Sequence, residues 1–171
     1  MIAHDPQATL RIGASGRYVF LTLVVAYGIY LLPWFQPFLR PNLPLIVLLH
    51  WCLYELRRVG HTSAFAMGLL VDIADGSLFG LNALAYTVVL HLTQLFRVRI
   101  LKFNLWQQAL HVLALLLIGQ LIVMFLNVFQ GNAAAVGPIY FLTSVVGAAL
   151  WPIVYFLLEV PRQRFQSEEI Q

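Results

Sequence analysis

The chain has 171 residues, 61% of them hydrophobic and only 10% charged, and its mean hydropathy is +0.83. Soluble domains carry about 25% charged residues, so the composition excludes a soluble globular domain and reads as an integral membrane protein with one compact helical domain. The formal charge of +3 is explained by loop bias rather than by a nucleic-acid partner, because the basic residues do not gather on one soluble face.

A lone cysteine, Cys52, excludes an internal disulfide and any multi-cysteine metal site. Residues 1–17 form a polar cytoplasmic N-terminal segment, with Arg11 and Arg17 leading into the membrane. The first apolar run, Tyr18–Phe35, exceeds an ordinary signal core and has no small-residue cleavage pattern after it. This first span is therefore expected to stay, anchored by Trp34 and broken by Pro33, Pro37 and Pro41. The second span, Leu43–Leu56, is short, has Pro44 near its start, and carries His50, Cys52 and Glu55 before Arg57 and Arg58.

Residues 62–96 hold too much apolar sequence for one crossing of roughly 17–25 residues, so they are expected to cross twice. The breakers Gly76, Ser77, Gly80 and Asn82 place the turn. Span three is then Thr62–Leu78 and span four Leu81–Phe96, followed by a basic loop with Arg97, Arg99 and Lys102. Span five is Leu105–Phe129, opened by Trp106, Gln107 and Gln108. A neutral linker, Gln130–Gly137, leads to span six at Pro138–Leu158, with Gly147, Ala148 and Ala149 as close-packing residues and Trp151–Pro152 as a bend.

These assignments give a six-helix transmembrane domain over residues 18–160 and a cytoplasmic tail over 161–171. Nine basic residues fall on the side of the termini and Arg40 alone on the other, which places both termini in the cytoplasm.

The most informative stretch is Gly68–Ala85, GLLVDIADGSLFGLNALA. Ala64, Gly68, Asp72, Gly76 and Gly80 recur every four residues, a spacing that stacks side chains on one helix face. Small residues there let a second helix approach closely. At about 1.5 Å per residue, Asp72 lies roughly 15 Å above Thr62, near mid-membrane. An ionisable group at that depth is costly and is a candidate functional site by default.

Asp72 and Asp75 admit four readings: a catalytic dyad, a D-x-x-D metal site, an ion relay, or a polar anchor. A dyad lacks a second aspartate in another span, and a metal site lacks a basic diphosphate cluster. The anchor is favoured, with Asp72 either protonated or satisfied by Asn82, Gln94, His91 or Gln120, or by backbone freed at the turn. His50, His91 and His111 fall in separate spans and read as packing residues rather than zinc ligands. Glu55 is expected to reach toward Arg57 and Arg58, and Gln120 and Asn127 to bond across helices. No nucleophile with partners, phosphate loop or dinucleotide fingerprint is present, so no catalytic residue and no cofactor is assigned.

Gly68–Tyr86 resembles the signature of the MreD family of bacterial rod-shape-determining membrane proteins: Gly68-Leu69, Asp72, Gly76, then Phe79-Gly80-Leu81-Asn82-Ala83-Leu84, with Phe79 replacing the usual Leu. Asn104-Leu105-Trp106-Gln107-Gln108 and the late Trp151-Pro152 extend the likeness over nearly the whole chain. The resemblance implies a non-enzymatic inner-membrane subunit of the cell-elongation machinery. It further implies association with the single-span protein MreC and, through it, with the MreB filament, RodA and a penicillin-binding transpeptidase. The fold it implies is similar to the six-helix substrate-binding subunits of energy-coupling-factor transporters. That likeness keeps open an alternative function, a small-molecule-binding or transporter subunit with a pocket near Asp72, Asp75 and Asn82.

Overall fold

A computed structural model describes residues 15–33, 40–130 and 138–168. Arg11, Trp34, Pro37 and nearly all of the neutral linker lie outside the described residues. Within them are six α-helices, one short 3-10 helix and no strand. The helices are α1 (Gly16–Leu31), α2 (Leu43–Tyr54), α3 (His61–Asp75), α4 (Leu81–Ile100), α5 (Leu105–Phe129) and α6 (Leu142–Glu168), with the 3-10 turn at Pro138–Phe141 before the last. The chain is thus all-helical. Two stretches are long and apolar enough to cross a bilayer by themselves, α5 and Leu142–Glu159 of α6. Helices α1 and α2 are apolar but shorter.

The boundaries follow local chemistry. Ser15 caps α1, its hydroxyl accepting from the Tyr18 amide at 3.3 Å. Pro33 follows the end of α1, and Pro44 sits in the first turn of α2, where a missing N–H costs nothing. Ser63 folds back on Gly60, accepting from its amide at 3.1 Å and donating to its carbonyl at 2.7 Å, which starts α3. Gln107 accepts from the Asn104 amide at 3.3 Å and starts α5, whose limits coincide with the fifth span read from the sequence. Helix α6 continues past residue 160, beyond the limit set for the sixth span.

The centre of the bundle is α2. Every residue from Pro44 to Leu53 is buried, including Trp51 and the polar His50. A helix that is apolar all round fits burial in protein as well as exposure to lipid, and here protein covers it: α2 packs on α1, α3, α4 and α6. His50 lies among the rings of Trp51, Tyr54, Trp151 and Tyr155. Helix α4 runs parallel to α2 and holds both its ends. Tyr86 donates its hydroxyl to Asn42 at the start, and Arg97 Nε donates to the Leu53 carbonyl at 2.6 Å at the finish.

The remaining cross-links sort the helices into an up-and-down bundle. At one end, Tyr18 of α1 donates to the Leu158 carbonyl at 3.4 Å, and Tyr54 donates to Gln108 of α5 at 3.2 Å. At the other, Gln120 of α5 donates to the Tyr140 carbonyl at 3.1 Å and to Thr143, while Ser144 donates back to Gln120 at 2.6 Å. Gln120 therefore bonds across helices as expected, whereas Asn127 turns back on its own helix and donates to the Val123 carbonyl at 3.0 Å. Gly147 lets Leu116 and Ile46 approach α6 closely.

Outward faces are apolar. Phe20, Leu21, Val24 and Val25 of α1 and Leu121, Phe125 and Phe129 of α5 are all exposed, as lipid-facing residues are. Burial thus separates two classes of equally apolar residue. Leu48→Ala in α2 is expected to cost about 2–4 kcal/mol through the cavity it leaves, while Leu21→Ala on α1 should change stability by less than about 1 kcal/mol. Unfolding of the two variants in detergent, followed by circular dichroism, checks the contrast.

Candidate functional site: the capped helical hairpin

Helices α3 and α4 form the most extensive helix pair in the molecule. Their approach is set by Gly68, where a Cβ would come within 2.4 Å of the Ala83 Cα and 2.6 Å of its nitrogen. Both are backbone atoms that cannot rotate away, so only glycine fits this crossing. Ala64, Gly68 and Asp72 share the buried face of α3 that meets α4.

The four-residue stripe stops there. Gly76 and Gly80 lie outside α3, with left-handed backbone at φ 61° and φ 102°, and a Cβ on either would meet nothing within 4 Å. Their role is conformational, not close packing: Gly76 ends α3 and Gly80 begins α4, each at a φ that other residues adopt only with strain. Helix α3 consequently ends at Asp75 instead of Leu78, and Asp72 lies within a turn of that end.

The position gives Asp72 its work. Helix α4 begins with amide groups that have no partner inside the helix, and no side chain of its N-cap residue, Gly80, is there to accept them. The Asp72 carboxylate reaches across from α3 instead. Its Oδ2 accepts from the Gly80 amide at 2.8 Å, and its Oδ1 accepts from the Asn82 amide at 2.9 Å. The Asn82 side-chain amide and the Ser77 hydroxyl also donate to Oδ1, each at 3.0 Å. Asp72 is fully buried, with both oxygens engaged. Its partners are Ser77, Gly80 and Asn82; of the side-chain donors named from the sequence, Asn82 is present and Gln94, His91 and Gln120 are not. A buried carboxylate at a helix N-terminus also faces the positive end of the helix dipole.

Asp75 belongs to a different group. Tyr30 at the end of α1 donates to both its oxygens at 2.8 Å, and Arg40 Nη1 lies 3.3 Å from Oδ1. Arg40 also stacks over the Tyr30 ring, 3.7 Å from its centroid, and donates to the Tyr30 carbonyl through Nε at 2.9 Å and through Nη2. This cluster ties α1, the start of α2 and the tip of the hairpin together. With 27% and 31% of the two side chains exposed, the ion pair itself contributes little, and the Tyr30 bonds and the ring contact do more of the fastening. The sequence left Arg40 alone on its side of the membrane, and Asp75, three residues beyond Asp72, lies nearer that side, yet the two were not joined. The lone cation and the outermost carboxylate of one side were the signal.

The histidines do not converge. His50 sits in the aromatic centre, His111 meets the Gln107 carbonyl at 2.8 Å and stacks on Phe103, and His91 faces His61.

The site is thus an acceptor built from one strand of sequence: a glycine crossing, a carboxylate, and a turn whose amides that carboxylate holds. Asp72→Ala leaves the Gly80 and Asn82 amides without their acceptor and is expected to cost about 2–4 kcal/mol, since each hydrogen bond to a charged group contributes about 1.5–3 kcal/mol. Asp72→Asn keeps an acceptor at Oδ1 but presents a donor to the Gly80 amide, and should cost roughly half as much. Denaturant titration in detergent ranks the three chains; equal midpoints for wild type and Asp72→Ala would contradict the assignment.

Residues 14–160 match the family described as rod shape-determining protein MreD. A relative from Haemophilus influenzae, also described as Rod shape-determining protein MreD, is 29% identical over 143 residues, covering 82% of this chain and 88% of its own length. No solved structure matches the chain. With the hairpin and its signature residues Gly68, Asp72, Gly76 and Gly80 in place, and with the match reaching from the start of α1 into α6, the chain belongs to the MreD family of membrane proteins involved in rod-shape determination.

Proposed function

We propose that this protein is a non-enzymatic scaffold subunit of the bacterial cell-elongation complex, which binds an MreC-type single-span protein and so helps position peptidoglycan synthesis. The observation that carries this reading is that the acidic residues of the signature are engaged within the protein. Asp72 caps α4, and Asp75 fastens α1 to Arg40 in the segment leading into α2. Both carboxylates thus have a structural role that accounts for their place in the signature. The rival reading, a ligand pocket at the hairpin, would need these same groups.

What the bundle does offer outside is apolar helix surface on α1 and α5, the kind of face that a partner's transmembrane helix packs on through van der Waals fit. In this proposal all six helices lie in the inner membrane with both termini cytoplasmic. The cytoplasmic end then carries Arg57, Arg58, Arg97, Arg99 and Lys102, and the opposite end carries Arg40. The MreB filament, a RodA-type glycosyltransferase and a penicillin-binding transpeptidase are reached through the bitopic partner.

The hairpin is the rigid part on which the outer faces depend. Gly76→Leu and Gly80→Leu force a branched side chain onto left-handed backbone, costing about 1–2 kcal/mol each, and Gly68→Leu drives into α4 backbone. Gly68→Leu is expected to abolish co-purification with the MreC-type partner and to give rounded cells, and the turn variants to weaken both. Co-purification and rod shape at wild-type levels for all three would refute the scaffold reading.

A further inference from the structure

At the open end of the hairpin, opposite the Asp72 cap, His61 and His91 face each other, with His61 Nε2 and His91 Nδ1 3.3 Å apart and ring centroids 5.4 Å apart. His61 is the first residue of α3, and His91 lies on α4 before the basic turn of Arg97 and Arg99. Both side chains are exposed, and the exposed Arg57 and Arg58 lie just before His61, so the pair is open to the outside of the bundle beside a basic turn.

Neither histidine takes part in the capped turn or in the Tyr30–Arg40–Asp75 cluster. Imidazole nitrogens bind Zn²⁺ at about 2.0–2.1 Å, and two of them at adjacent corners of a tetrahedron lie roughly 3.3 Å apart. Without an ion the two rings share a hydrogen bond at 3.3 Å, and the same separation lets both nitrogens act as ligands to one ion once that proton is displaced. Among the described residues no third histidine, cysteine or carboxylate joins them, so the remaining positions are open to water or to a donor from another molecule.

We propose that His61 and His91 form a two-histidine site for a divalent transition-metal ion of the zinc class, which clamps α3 to α4 at the end opposite the Asp72 cap. The carboxylate at one end and the ion at the other would then hold the hairpin at both extremities.

The test is Zn²⁺ binding by the purified full-length chain without a polyhistidine tag, in nanodiscs, by calorimetry alongside thermal unfolding. Wild type and His111→Ala are expected to bind one Zn²⁺ per chain saturably and to unfold at a higher temperature with the ion present. His61→Ala and His91→Ala should each weaken binding at least about tenfold and lose the temperature shift, while keeping wild-type helical content because both side chains are exposed. The absence of saturable binding in wild type, or equal affinity in all three variants, would overturn the proposal.

Discussion

A helix that starts inside an apolar environment needs something to accept its first amide hydrogens, and everything distinctive in this molecule follows from how α4 meets that need. Its N-cap residue is Gly80, chosen by a left-handed backbone that leaves no side chain for capping. The acceptor therefore comes from the preceding helix, as the buried Asp72 carboxylate. The arrangement requires α3 to lie against α4, which Gly68 permits, and requires α3 to end within a turn of Asp72, which Gly76 enforces. Three glycines and one aspartate thus solve one problem jointly.

The rest of the bundle is tied to the hairpin through α4 and through the tip. Helix α4 holds α2 at both ends, by Tyr86 to Asn42 and by Arg97 to the Leu53 carbonyl, so the most deeply buried helix takes its position from the second arm of the hairpin. The tip holds α1 through Tyr30 and Asp75, with Arg40 bridging from the segment that leads into α2. Helices α5 and α6 join along one side through Gln120, Thr143 and Ser144. An interior fastened by hydrogen bonds leaves the outer faces of α1 and α5 free to be largely apolar.

Much of this was legible in the residues. All six helices appear at the expected places because prolines, glycines and basic turns punctuate the apolar runs, and the hairpin turn falls among Gly76, Ser77 and Gly80. The extent of the small-residue stripe was misjudged because a four-residue spacing cannot tell a helix that continues through Gly76 from one that ends there; only the left-handed φ decides. The central place of α2 left no periodic trace, since an all-apolar helix reads the same whether protein or lipid surrounds it. The Arg40–Asp75 contact and the His61–His91 pair join residues 35 and 30 positions apart, and such pairings depend on helix register that one sequence does not display. Six crossings were expected, while two helices are by themselves long and apolar enough for that; the shorter α1 and α2 and the polar-ended α3 and α4 owe their place to packing.

The capping assignment can be read directly at the two amides that define it. Hydrogen exchange in lipid bilayers, resolved by solid-state NMR, should find the Gly80 and Asn82 amides protected in the wild-type chain. In Asp72→Ala those two should exchange rapidly while amides within α5 stay protected. Equal protection of Gly80 and Asn82 with and without the carboxylate would contradict the account.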